Sequence, residues 1–180
     1  MVLATFTFHT AGFMNLMHLV CHLCVGSLPT QIQPDVGTVI VQIGSNDLTN
    51  HLLSVDDFVQ QVTTYLNHIF ICHANVKDVK VLQILRRQQP RQQPRWARRR
   101  PMMMSMTAYN ARVDDANRRL SQWSTLGGYS TFCRHNKDVC CQRLVAGDGV
   151  HLTALGVRKY WRSVRGAALR SVRGRRTRHF

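Results

Sequence analysis

Two short stretches of the chain carry side chains suited to one piece of chemistry. From Val39 to Asn50 the sequence reads V-I-V-Q-I-G-S-N-D-L-T-N: an apolar run stops at Gly44, and the pair Asn46-Asp47 follows two residues later. From Ala146 to Leu152 it reads A-G-D-G-V-H-L, with Asp148 three residues before His151. A neutral amide fixed at the end of a strand can donate to an oxyanion without adding charge, and one such donor is worth about 3 kcal/mol in a transition state. A carboxylate three residues before a histidine can accept the imidazole Nδ1–H, which leaves Nε2 free to act as a base. Gly44 lets the backbone turn sharply before Asn46, and Asp47 is suited to cap and brace that turn. Taken singly, an Asn-Asp pair is commonly a turn and a D-x-x-H pair commonly a helix cap. Their conjunction, in this order and at element ends, points to function.

The elements that must position these residues alternate between strand and helix. Residues 2–9 are rich in β-branched and aromatic types and read as a strand. Residues 13–28 are apolar all round and read as a buried helix. Residues 36–43 form a continuous apolar run, the pattern of a parallel strand covered on both faces. Ser54 is placed to cap a helix whose stripe is Phe58, Val62, Tyr65, Leu66 and Ile69. A strand over 76–85 follows, then a helix from Thr107 with the stripe Tyr109, Val113, Ala116, Leu120 and Trp123. Asp114–Arg118 and Asp115–Arg119 are spaced as ion pairs on its wet side. A short strand over 129–135 and a last helix from about Thr153 complete the pattern. The alternation predicts an α/β fold with a mostly parallel sheet and helices on both faces. In such sheets chemistry sits at the carboxyl ends of the strands, where Asn46 falls.

Residues 86–106 interrupt this order with two copies of Q-Q-P-R, three prolines and an arginine run. They read as a mobile, basic low-complexity insert. Residues 1–172 then form one domain carrying that insert, with a frayed basic tail over 173–180.

Charge is unevenly spread. Residues 1–76 hold no Lys or Arg and four Asp, a formal −4, whereas residues 77–180 hold all 24 bases and five Asp, a formal +19; the sum is the overall +15. That excess suits a nucleic acid or another polyanion as partner for the 77–180 portion, although no nucleic-acid motif accompanies it. Cys21 and Cys24 form a C-x-x-C with His18 and His22 nearby, but no second ligand pair stands at metal-site spacing, so buried thiols are expected and no metal. The apolar run Phe13–Val25 is too short to span a membrane and has no basic region before it, so neither a span nor a signal peptide is read there. The expected location is intracellular and reducing.

The motifs extend to a family resemblance. V-Q-I-G-S-N-D-L resembles the third conserved block of the SGNH (GDSL-type) hydrolases, and D-G-V-H-L-T-A-L-G resembles the fifth. Y-N-A-R-V-D-D-A-N-R-R-L and Y-W-R-S-V-R-G-A-A-L are similar to other parts of such proteins, so that the likeness covers about residues 5–172. It implies a flavodoxin-like three-layer α/β/α fold and hydrolysis of an ester substrate without metal or cofactor. Asn46 would be the side-chain oxyanion donor, His151 the general base and Asp148 its orienting partner, with Gly12 matching the glycine that lends a backbone N–H. The departure is that the chain contains no G-D-S, the block that supplies the nucleophilic serine on the family's first strand. Ser27 and Ser45 read as structural. The resemblance thus implies a domain missing its first strand, truncated at the amino end and inactive as written, with a gap between the strands at 2–9 and 36–43. A basic nucleic-acid-binding or retroelement-derived SGNH-like pseudoenzyme is the alternative.

Overall fold

The computed structural model describes residues 17–20, 36–91, 104–127, 130–135, 139 and 141–176. Four strands, β1 (Met17–Val20), β2 (Thr38–Val41), β3 (Asp78–Leu82) and β4 (Ser130–Cys133), form one sheet in the order β1-β2-β3-β4. Every neighbouring pair is parallel, with Val41 level with Val81 and Val81 level with Phe132. Three helices follow the strands: α1 (Val55–Cys72), α2 (Met106–Gly127) and α3 (Ala154–Arg176). This is an α/β fold, as the alternation of patterns predicts.

The two faces of the sheet are covered separately. Val39, Val41, Val79 and Val81 are buried with Phe58, Val62, Leu66 and Ile69 of α1 and Tyr109, Val113, Ala116 and Leu120 of α2. Their alternates, Ile40 and Leu82, pack with Cys133 against Val164 and Ala167 of α3. The period of two along the strands thus feeds two cores, which is why β2 reads as an unbroken apolar run. Helix α1 starts where expected: Ser54 accepts from the Asp57 N–H at 3.0 Å, and Asp56 and Asp57 lie in the positive first turn.

Four expectations need correction. Within the segment 13–28, read as a helix, residues 17–20 are a strand paired with β2. A short apolar run fits a buried helix and a buried strand equally, and pairing with the exposed edge of β2 decides between them. That strand stands directly against β2; the strand at 2–9, the other side of the implied gap, lies outside the described residues. Residues 86–91 are not a free insert, because several hydrogen bonds described below hold them in place. Asp114 pairs with Arg86 rather than Arg118, and Asp115 takes both Arg118 and Arg119. The basic tail is helical as far as Arg176, since α3 continues without a break. The strand read at 2–9, Gly12, the C-x-x-C, Ser27 and residues 92–103 lie outside the described residues.

Candidate active site at the carboxyl rim of the sheet

Because β2, β3 and β4 are parallel, their carboxyl ends open onto one rim. The chain leaving β2 turns at Gly44, whose φ of 97° is left-handed and where a Cβ would lie 2.4 Å from the Phe58 ring. The carbonyl of Gly44 accepts from the Leu48 N–H at 3.1 Å, and a single 3-10 turn, Asp47–Thr49, follows. Leu48 is fully buried and anchors it. Asp47 begins the turn, and its carbonyl accepts from the Asn50 N–H. Asn46 is left exposed at the head of this turn, where its side chain makes no capping bond. Its Oδ1 instead accepts from an Arg87 guanidinium N–H at 3.1 Å.

Arg87 belongs to the chain leaving β3. Its guanidinium also donates to the Ser45 carbonyl at 2.8 Å and lies 4.5 Å over the Tyr109 ring. The Tyr109 hydroxyl donates to the same Ser45 carbonyl at 3.0 Å and lies 3.3 Å from the Ser45 hydroxyl. Ser45 is therefore tied into the wall, in keeping with a structural role. Two asparagines of α2 hold the β3 exit. Asn117, buried among apolar neighbours, accepts from the Ile84 N–H at 2.8 Å and donates to the Ile84 carbonyl at 2.9 Å. Seven residues earlier, Asn110 repeats this clasp on Arg87, at 3.0 and 2.9 Å.

The second motif is a tight loop ahead of α3. Val145 and Leu152 form an antiparallel bridge, and Ala146 donates to the His151 carbonyl at 2.7 Å. Thr153 caps α3 by accepting from the Gly156 N–H. Inside the loop Asp148 Oδ1 accepts the N–H groups of Val150 and His151, at 2.9 and 3.0 Å, and Oδ2 meets His151 Nδ1 at 2.5 Å. The bond from His151, then that from Val150, holds the Asp148 carboxyl down at about 2, against the opposing pull of burial. Asp148 is thus ionised at neutral pH, and the imidazole, 81 % exposed, presents its Nε2 outward.

Residues 87 and 88 bring the two motifs together. While Arg87 holds Asn46, the Gln88 N–H donates to the Gly149 carbonyl at 2.8 Å. Arg91 continues the contact, its N–H donating to the Gly147 carbonyl and its guanidinium to Val145 O at 2.7 Å. Asn46, Asp148 and His151 are therefore braced by one segment on one rim. Arg87, Asn110 and Asn117 are absent from the sequence reading. Asn117 left a signal, a polar residue next to Val113 and Leu120 on a buried face; Arg87 was hidden in a run that read as a basic insert. Among the described residues no group of three metal-ligating side chains comes together.

A separate polar cluster lies on the α3 face. His135 approaches Gln42 Oε1 at 3.4 Å, and the Tyr160 hydroxyl donates to the same oxygen at 3.1 Å. Burial pushes the His135 imidazole down to about 4, so it is neutral at pH 7.

No family model matches the sequence, and no curated protein matches it. One solved structure similar in fold is that of a "putative platelet activating factor" from Streptococcus pneumonia, at 15 % identity and a TM-score of 0.56. The match covers 74 % of this chain and 60 % of that one, so this chain spans well under two thirds of its neighbour's length. At that identity the likeness speaks for the fold alone.

Proposed function

We propose that the rim is the site of an ester (acyl) hydrolase of the SGNH, GDSL-type class, on a flavodoxin-like three-layer scaffold. Asn46 Nδ2 serves as the oxyanion donor, His151 Nε2 as the general base, and Asp148 as the group that holds the imidazole tautomer. Gly44 and Asp47 shape the turn that presents Asn46, and a backbone N–H at Gly12 completes the oxyanion hole. The observation that carries this reading is the bridge at residues 87–88, which braces Asn46 and the Asp148 loop together. The sequence contains no G-D-S, so on this reading the chain as written holds the base and the oxyanion donor without the nucleophilic serine of that class, and is inactive in hydrolysis through an acyl-enzyme.

The reading is tested by supplying the nucleophile from solution. With an aryl acetate and added methanol, the methanol oxygen attacks the carbonyl carbon and its proton passes to His151 Nε2. The oxyanion is held by Asn46, and the aryl oxide leaves with the proton from His151, giving methyl acetate and the phenol. Protein-dependent transfer falls about 100-fold in Asn46→Ala and at least as far in His151→Ala. Transfer unchanged in His151→Ala overturns the assignment.

A further inference from the structure

The described basic residues differ in how they are compensated. Around α2, Arg118 and Arg119 meet Asp115, Arg119 also reaches Asp56, Arg86 meets Asp114, and Arg112 donates to the Asn50 and Leu53 carbonyls. Helix α3 is different. Its 23 residues include no acid. Arg158, Arg162, Arg165 and Arg170 are exposed, and among the described residues neither they nor Lys159 enter an ion pair. Arg158, Arg162 and Arg165 follow one another at steps of four and three, so they form one line along the helix, about 10 Å long. Like charges at such spacing repel by about 0.2–0.5 kcal/mol per pair. An anionic partner removes that cost.

We propose that the solvent face of α3 docks the phosphate backbone of a nucleic acid. The line of guanidinium groups meets successive phosphates. Two observations favour nucleic acid over an acidic membrane. The apolar side of α3, Val164 and Ala167, is buried against the sheet, so the helix has no apolar face to insert into lipid. Among the described residues of α3 the exposed apolar ones, Leu155, Val157 and Leu169, stand apart from one another. Binding is also indifferent to sequence, because Tyr160 and Trp161 are packed against the core rather than offered for base stacking.

The test is fluorescence anisotropy on single-stranded RNA, single-stranded DNA and duplex DNA of mixed sequence, across a salt series. The triple variant Arg158→Gln/Arg162→Gln/Arg165→Gln is compared with Lys77→Gln/Arg86→Gln/Arg118→Gln, which removes the same charge outside α3. For the α3 variant the slope of log K against log[salt] becomes shallower by about 2 on single strands and about 2.7 on duplex. The control keeps the parent slope, and the ratio of RNA to DNA affinity tells which backbone is preferred. Arg162→Gln alone shifts the slope by about 0.7–0.9 and reads the same contact with less disturbance to the helix. Equal changes in both triple variants overturn the proposal. So does salt-insensitive binding, or binding to phosphatidylserine vesicles with none to nucleic acid.

Discussion

Asn117→Ala is the substitution that most sharply tests how the wall of the site is built. Asn117 is 8 % exposed, and its amide satisfies both the N–H and the carbonyl of Ile84, at 2.8 and 2.9 Å. Ile84 is itself buried, so water cannot replace the lost partner freely. A buried polar group left unpaired costs about 1–3 kcal/mol, and two of them together give about 3 kcal/mol of lost stability. That is a large share of a domain's usual 5–15 kcal/mol or so. The neighbouring clasp supplies the control. Asn110 makes the same pair of bonds to Arg87, but in a part-buried place where solvent can substitute, so Asn110→Ala costs about 1 kcal/mol. Urea unfolding followed by circular dichroism reads both. Equal losses in the two variants, or a loss below about 1 kcal/mol in Asn117→Ala, would refute the argument that burial makes the amide clasp strong.

Gly149 has φ of 76°, and a Cβ there would lie 2.1 Å from the Gln88 carbonyl oxygen. Gly149→Ala therefore costs about 2–4 kcal/mol in urea unfolding, from left-handed strain and the displaced Gln88 bond together; a neutral outcome would mean the loops are not in contact. His135, held down to about 4 by burial, gives a pH dependence of known sign. The unfolded chain binds its proton near pH 6.5 and the folded chain only near 4, so stability is complete above 6.5 and falls as pH drops toward 4, by about 2–3 kcal/mol. His135→Gln flattens that part of the urea-midpoint profile, and an unchanged profile would exclude His135 as its source.

The parts of the fold that were legible in the sequence are those with a long periodic signal. Helix α1 begins after Ser54 because the cap, the two acids and the stripe from Phe58 to Ile69 agree. The unbroken run before Gly44 fits a strand fed by two cores. Met17–Val20 was not legible: three apolar residues and a histidine have no period of their own, and the edge of β2 settles their conformation. Asn46, Asp148 and His151 of the proposed site stand out in the sequence because their chemistry is local to two short motifs. The bracing could not. Arg87 reaches back 41 positions to Asn46, and Gln88 reaches across to Gly149, contacts that only the parallel order of the strands creates. Prolines and arginines in one stretch look like low complexity, yet Gln88 and Arg91 are fixed by backbone bonds that composition does not report.

The central claim is that Asn46 and His151 act on one reacting centre. The most direct measurement is a double-mutant cycle on methanol-dependent acyl transfer, comparing the parent with Asn46→Ala, His151→Ala and the double variant. The amide still holds the oxyanion after the base is lost, so the two groups contribute separately. Each single variant therefore falls by about 100-fold or more, and the double variant falls further still, toward the rate without protein. Single variants that lose nothing, or a double variant that regains transfer, would contradict the account.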